Sequence, residues 1–440
     1  MHCRPLPAQL GRMHRPLLFA FPWLLACPVE AKELPVSDPA GLKAALKTVQ
    51  PGDTLVLREG EWPDAKLKIK AEGTKDKPVL VRAATPGKTV FTGDTRFQVS
   101  GHHVTVEGFW FREPAQASGE VIELRTGTKE LAFDCVVRGC AVTSSMPVDK
   151  EGKTARFCSL YGTGNTVEGC HFEGKSTPGT TLVVWLENGG EGGHVIRGNY
   201  FGPRPRLGEN GGETIRIGDS STAHLNGHCE VTGNLFERCN GEVEIISVKS
   251  NENHIAGNTF LECEGAVTLR HSHRSVVENN LFLGHHKKYT GGVRIIGEDH
   301  KVTHNWFEGC EGDGSRSTLS FMNAIPNSPA FGYYQVKRAL VADNTLIDCA
   351  ASLTIGVQHD TTCTLPPLDC TVRDNVIASP KRQLVFLLTE APGWKWEHNV
   401  MIGKTVGIDN LPGVITTQPA LEPRRVPEME RGKVGVEWLK

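Results

Sequence analysis

Short runs in which apolar and polar residues alternate recur along this chain, each closely preceded by glycine. Four lie between positions 210 and 295: Ile215-Arg216-Ile217, Val243-Glu244-Ile245, Val267-Thr268-Leu269 and Val293-Arg294-Ile295. Such alternation is that of a strand with one face in a core. Between the runs stands a second phrase, Gly-Asn-x-Phe or Asn-Asn-x-Phe. It ends at Phe201, Phe236, Phe260, Phe282 and Phe307, with Asn199, Asn234, Asn258, Asn280 and Asn305 two places earlier. Asn344, Asn375 and Asn399 continue it, and Cys140 and Cys170 hold the same place upstream.

The closest steps between these asparagines are 22, 24 and 25 residues. A period in the low twenties, with three strand-and-turn units per repeat, predicts a parallel β-helix. Leucine-rich repeats share the period, but their leucine pattern is missing. Longer steps, such as the 39 residues from Asn305 to Asn344, imply loops inserted at one corner. The asparagines are expected to form an inward ladder, tolerating left-handed φ while their amides satisfy turn backbone. The phenylalanines are expected to stack in the core, so both are scaffold and not chemistry.

Ahead of the repeat, Asp38-Pro39 opens a short helical pattern through Leu46, with Asp38 as N-cap and proline in the first turn. Such a helix suits a cap on the open end of a solenoid. The expectation is an all-β, single-domain coil over residues 32–411, followed by a Pro-containing tail, 412–440, running as an extended strap or partly loose end. If each alternating run is one rung, Arg216, Glu244, Thr268 and Arg294 form a column on the outer face, about 4.8 Å apart.

Composition changes this picture little. The 440 residues carry 48 Lys plus Arg against 50 Asp plus Glu, a net charge of −2, so nothing global points to nucleic acid and affinity for an anion must be local. The 48 glycines and 26 prolines are scattered, which favours tight turns over disorder. Residues 1–31 read as an export signal: a basic opening at Met13-His-Arg, an apolar stretch from Leu17 to Ala26, and a cleavage site at Val29-Glu30-Ala31, with residues 1–12 as an upstream extension. The apolar stretch is too short to span a bilayer. Leu24-Leu25-Ala26-Cys27 also resembles a bacterial lipobox, giving lipid attachment at Cys27 as an alternative. The expected location is secreted or periplasmic, or outer-membrane-anchored. Of the 13 cysteines, Cys239, Cys263, Cys310 and Cys349 each follow a ladder asparagine by five residues, the phase of a buried column of free thiols. Cys363 and Cys370, flanking Pro366-Pro367, are the pair expected to be bridged.

Acid, base and cation gather in the central repeats. Glu242 and Glu244 leave one face of a strand, and Asn210-Gly-Gly-Glu213 offers further oxygen ligands one rung earlier. Carboxylates with an amide carbonyl suit a hard cation such as calcium. Lys249 follows five residues after Glu244, and Arg270 with His271 stands on the next rung. A lysine acts as a base only when neutral, which nearby cations favour, and an arginine can stabilise an oxyanion. A solvated acidic pair and solvated charges on a strand face are the plainer alternative.

The phrases Asn210-Gly-Gly-Glu-Thr-Ile-Arg-Ile-Gly218, Glu242-Val-Glu-Ile-Ile-Ser-Val-Lys249-Ser and Thr268-Leu-Arg270-His271 resemble polysaccharide lyase family 6, which contains alginate lyases and chondroitinase B. Thr180 to Trp185 and Ser159-Leu-Tyr161-Gly add to the likeness, which runs over most of residues 35–400. The resemblance implies a right-handed parallel β-helix that cleaves uronic-acid polymers by β-elimination. It implies Lys249 as base, Arg270 as acid, Asn210, Glu242 and Glu244 as calcium ligands, and Arg216, His271, Arg294 and Tyr333 as substrate-binding residues. Val248 departs from the polar residue expected before the base. Alginate is the first expectation for the substrate because most members act on it, with dermatan sulfate as the alternative. A pectinase-type hydrolase would need two separated carboxylates, and Glu242 and Glu244 lie too close for an inverting pair. A non-catalytic carbohydrate-binding coil is the remaining rival.

Overall fold

The computed structural model describes residues 1–2, 31–115, 119–152, 154–186, 192–208, 210–416 and 425–440. Residues 3–30, which hold the basic opening and apolar stretch of the expected export signal and Cys27, lie outside the described residues. Among the described residues, the chain from Glu33 onward coils through three sheets of fourteen strands, parallel except where Arg125–Gly127 runs antiparallel to Glu130–Phe133. The first sheet runs from Glu33–Val36 to Lys395–Glu397, and another from Gly60–Pro63 to Val414–Ile415. The sheet that carries the chemistry, here the site sheet, includes Leu182–Val184, Ile215–Gly218, Glu244–Lys249, Ala266–Leu269 and Val293–Ile295. This is a parallel β-helix.

The recurring phrase explains why the coil is regular. Asn199, Asn234, Asn258, Asn280, Asn305, Asn344, Asn375 and Asn399 form one buried ladder. Asn234 Nδ2 donates to Asn258 Oδ1 at 2.9 Å and to the Ile196 carbonyl at 2.9 Å, and the same Oδ1 accepts the Asn234 backbone N–H at 3.0 Å. Each amide thus donates to acceptors on both neighbouring turns and accepts from the turn before it. The left-handed conformation expected at asparagine instead falls one residue earlier: Gly233 (φ 62°), Gly257 (64°), Asn279 (53°), His304 (56°) and Asp343 (58°). That placement lets the asparagine side chain turn inward while the residue before it makes the corner, which explains the preference for glycine there. Beside the ladder, the rings of Phe172, Phe201, Phe236, Phe260, Phe282 and Phe307 stack, the Phe260–Phe282 centroids being 4.5 Å apart.

The helix Pro39–Ala45 is capped by Asp38, whose side chain accepts from Gly41 N at 2.7 Å, and buries Leu42 over the first turn. All eleven cysteines among the described residues are buried and free. Cys239 and Cys263 stack as expected, with Cys239 N donating to Cys263 Sγ at 3.4 Å. The expected Cys363–Cys370 bridge is absent. Cys370 sits in the core at the start of a rung, whereas Cys363 is held in a loop by Asp360, its N–H donating to Oδ1 at 2.7 Å.

The tail does not hang free. Residues 425–440 run back over the coil: Met429 N donates to Thr259 Oγ1 (2.8 Å), Gly435 N to Gly198 O (3.1 Å), and Trp438 meets Trp110 with ring centroids 5.6 Å apart. Arg431 lies 3.9 Å over the Tyr200 ring. Among the described residues no helix is long and apolar enough to cross a membrane.

Candidate active site

The register of the site sheet corrects one expectation. Arg216 pairs with Ser247, Ser247 with Thr268, and Thr268 with Arg294, so Ser247 and not Glu244 occupies the outward column. The strand Glu244–Lys249 holds two successive apolar-polar-apolar triplets, and pattern alone does not choose between them. An irregularity between Glu244 and Ile246 absorbs the extra residue. Such a bulge re-aims the side chains around it. Glu244 therefore stands at the edge of the sheet beside Glu242, and Lys249, two residues past Ser247, emerges on the outward face.

Glu213, Glu242 and Glu244 converge there. One carboxylate oxygen from each lies within 4.8 Å of the other two, and all three residues are buried. Burial, then the adjacent Glu213 and Glu244, push the Glu242 carboxyl up to about 9. Glu213 Oε2 is buried with no hydrogen-bond partner among the described residues. Three crowded carboxylates, one with an unused oxygen, fit a hard divalent cation, which would relieve their repulsion and satisfy that atom. Asn210 is exposed at the rim of the same cleft, while Glu213 occupies the position within the trio.

Beneath the loop that bears Glu213 lies Arg204, buried in the wall. Its Nη1 donates to the Glu213 carbonyl (2.5 Å) and its Nη2 to Gly179 O (2.6 Å) and Thr177 O (3.2 Å). A guanidinium that bonds only neutral oxygens is costly unless negative charge lies near. Glu213 and Glu242 supply it. Nothing in the sequence pattern singled this arginine out; it precedes the motif and reads as an ordinary loop cation.

Facing the trio, Lys249 Nζ lies 3.9 Å from Glu213 Oε1, and Glu244 Oε1 is 3.8 Å from Arg270 Nε and 3.5 Å from Arg294 Nη1. These are loose approaches that leave the cations available. Tyr333 organises both arginines: its hydroxyl accepts from Arg294 Nη2 at 2.9 Å, and its ring lies 4.1 Å beneath the Arg270 guanidinium. Arg270 Nη1 also donates to the Gly332 carbonyl at 2.9 Å, so an inserted loop holds it. His271 is buried, with Nδ1 3.3 Å from Ser220 Oγ. Burial, Arg270 and Lys249 depress its pKa to about 3, so the ring is neutral. A cleft of about 480 Å³ is lined by these residues together with Ser220, Ser315, Arg316 and Phe331. Arg216 stands apart, on the next rung, stacked 4.7 Å over Trp185.

The likeness seen in the motifs extends to whole chains. The family model described as Chondroitinase B matches residues 36–425. The chain belongs to this family, polysaccharide lyase family 6. It is similar to the PL6 family alginate lyase AlyGC, with 31% identity and a TM-score of 0.85 over 92% of this chain and 58% of that one. The chain thus spans little more than half of AlyGC. It is also similar to a mannuronic acid specific polysaccharide family 6 lyase from human gut microbiota, with 29% identity and a TM-score of 0.75 over 84% and 86% of the two chains. A PL6 alginate lyase in complex with a trisaccharide shares the fold at 21% identity and a TM-score of 0.76, covering 92% of this chain and 95% of that one. No curated protein matches the sequence. In this family member the acids, the amine and the guanidiniums occupy one face of the coil.

Proposed function

We propose that the chain is a polysaccharide lyase that cleaves a uronic-acid polymer, alginate first, by calcium-assisted β-elimination. The observation that carries the reading is the meeting of Lys249, Arg270 and the Glu213–Glu242–Glu244 trio in one cleft. In a polyuronate the proton to be removed sits beside a carboxylate, whose negative charge makes it very weakly acidic. Calcium held by Glu213, Glu242 and Glu244, with Asn210 at the rim, supplies Lewis acidity that offsets this charge.

Lys249, in its neutral form, takes the C5 proton. The electron pair forms the C4–C5 double bond as the C4–O4 bond breaks, and Arg270 stabilises and protonates the departing oxygen. Its hold by Gly332 O and the Tyr333 ring fixes the guanidinium before substrate arrives. Arg294 and Arg216 bind carboxylates of neighbouring sugars. The neutral His271 ring contributes hydrogen bonding and shape, not charge. Alginate is favoured because AlyGC is an alginate lyase and the gut lyase is mannuronic acid specific, and dermatan sulfate is the alternative suggested by the likeness to chondroitinase B. The same reading takes residues 1–31 as an export signal, placing the enzyme outside the cytoplasm, with Cys27 as an alternative anchor.

Incubation with polymannuronate, polyguluronate and dermatan sulfate, following absorbance of the 4,5-unsaturated product, tests the proposal. Signal is expected on at least one polymer and is lost on chelation. Cleavage without absorbing product would mark a hydrolase and overturn it.

A further inference from the structure

On the outward face, the site sheet continues beyond the cleft toward the N-terminal turns, and its side chains there form a built cationic row. Glu123 pairs with Ser159, and Ser159 with Val183. Two residues past these positions come Arg125, Tyr161 and Trp185, which share parity with Lys249, two past Ser247. The Arg125 guanidinium lies 3.8 Å over Tyr161, and Tyr161 stacks on Trp185 at 6.0 Å and 15°. Trp185 is approached by Arg156 (5.2 Å) and Arg216 (4.7 Å). Two stacked rings are therefore flanked by guanidiniums, Arg125 on Tyr161 and Arg156 and Arg216 on Trp185.

Two acids anchor the row from below. Glu123 bonds Arg125 Nε at 2.6 Å and lies 3.0 Å from Arg96 Nη2, and Glu120 lies 3.3 Å from Arg156 Nη1 and 3.1 Å from Arg96 Nη2. The glutamate side chains are only 4% and 2% exposed, against 38%, 27% and 23% for Arg96, Arg125 and Arg156. Negative charge is thus buried and positive charge faces out, with Arg96, Arg125, Arg156 and Arg216 outnumbering the two acids. The Nε–H groups of Arg96, Arg156 and Arg216 and the Trp185 indole N–H have no hydrogen-bond partner among the described residues. These atoms are themselves buried, so the surface offered to a ligand is the exposed part of the guanidiniums of Arg96, Arg125 and Arg156.

We propose that this row is a distal binding rail for the anionic polysaccharide, engaging carboxylates of the chain beyond the sugars held in the cleft. Its continuity with Arg216 and the cleft, and its outward charge, select a long polyanion over a small ligand. The identity of the polymer rests on the lyase reading; the rail itself does not. Its consequence is that chain length, not only the sugars at the scissile bond, sets affinity, and that this gain is screened by salt.

The test is calorimetric binding of a long uronan and of a trisaccharide to the Lys249→Ala protein, which does not consume them, with and without Arg125→Gln plus Arg156→Gln. Both carboxylates keep partners in that variant, because Gln98 and Arg96 bond Glu123 and Arg96 bonds Glu120. The expected result is an affinity for the long chain reduced about three- to tenfold, the trisaccharide affected about twofold or less, and a shallower salt dependence. Arg125→Lys plus Arg156→Lys, which restores the charge, is expected to recover most of the long-chain affinity. Equal loss for both ligands, or no loss for the long chain, would overturn the rail. Failure of the lyase reading is seen separately, as absence of unsaturated product from the wild-type protein.

Discussion

Buried polar residues decide how this site is held and how it answers to pH. Arg204 is the clearest case, since it clamps the carbonyls of Glu213, Gly179 and Thr177 beneath the acidic trio. Arg204→Met would free the Glu213 loop and so misplace one of the three carboxylates. It is expected to weaken divalent-cation binding by about tenfold or more, read by calorimetry, and to lower the melting temperature. His300 is buried with Nε2–H donating to Ile296 O (2.9 Å) and Ser272 O (3.0 Å), while Nδ1 accepts from Ser275 N (3.2 Å). Burial depresses its pKa from 6.5 to about 4, so the folded form refuses a proton that the unfolded chain accepts. The resulting stability is complete above pH 6.5 and is lost as pH falls toward 4, about 3 kcal/mol in all. Urea unfolding at pH 7 and pH 4 measures it, and His300→Gln is expected to flatten the dependence. Lys249, Arg270 and Glu242 were legible in the sequence because their motifs are local. Arg204 was not, because its role exists only once three turns are stacked.

At the level of elements, the asparagine ladder from Asn199 to Asn399 and the phenylalanine stack from Phe172 to Phe307 fix the register of the turns they cross. Asn258→Ala would strand the Asn234 N–H and Nδ2 donors and leave the Val231 carbonyl without its partner. A loss of about 2–4 kcal/mol is expected in denaturant unfolding, since each unpaired buried group costs about 1–3 kcal/mol. Phe260→Ala opens the middle of the stack and is expected to cost about 3–5 kcal/mol. These elements were visible beforehand because the same Asn-x-Phe phrase recurs, several times at steps of 22 to 25 residues. The register of Glu244 was not. Val243-Glu244-Ile245 and Ile246-Ser247-Val248 carry the same polarity pattern, and only the bulge between Glu244 and Ile246 decides which triplet faces Arg216. The left-handed turn fell one place before each asparagine for a related reason: composition marks the corner, while the exact residue depends on which side chain must point inward.

Across the whole molecule, the returning segment 425–440 ties distant turns together. It contacts Thr259, Tyr200 and Gly198, and its Trp438 meets Trp110 near the N-terminal end. In a solenoid each turn otherwise touches only its neighbours, so such a strap couples units that would unfold separately. Ending the chain at Thr416 is expected to lower the melting temperature and broaden the transition in calorimetry. The prolines of the tail announced an extended path, but the surface it follows depends on non-local partners such as Tyr200 that no local pattern names. The coil places a buried acidic trio, an amine and two guanidiniums on a single wall, and the catalytic account rests on that placement. The most direct test compares wild type and Lys249→Ala on alginate with calcium present, reading unsaturated product by absorbance and binding by calorimetry. The account predicts product from the wild type alone, with binding retained in both; unsaturated product formed by Lys249→Ala at the wild-type rate would contradict it.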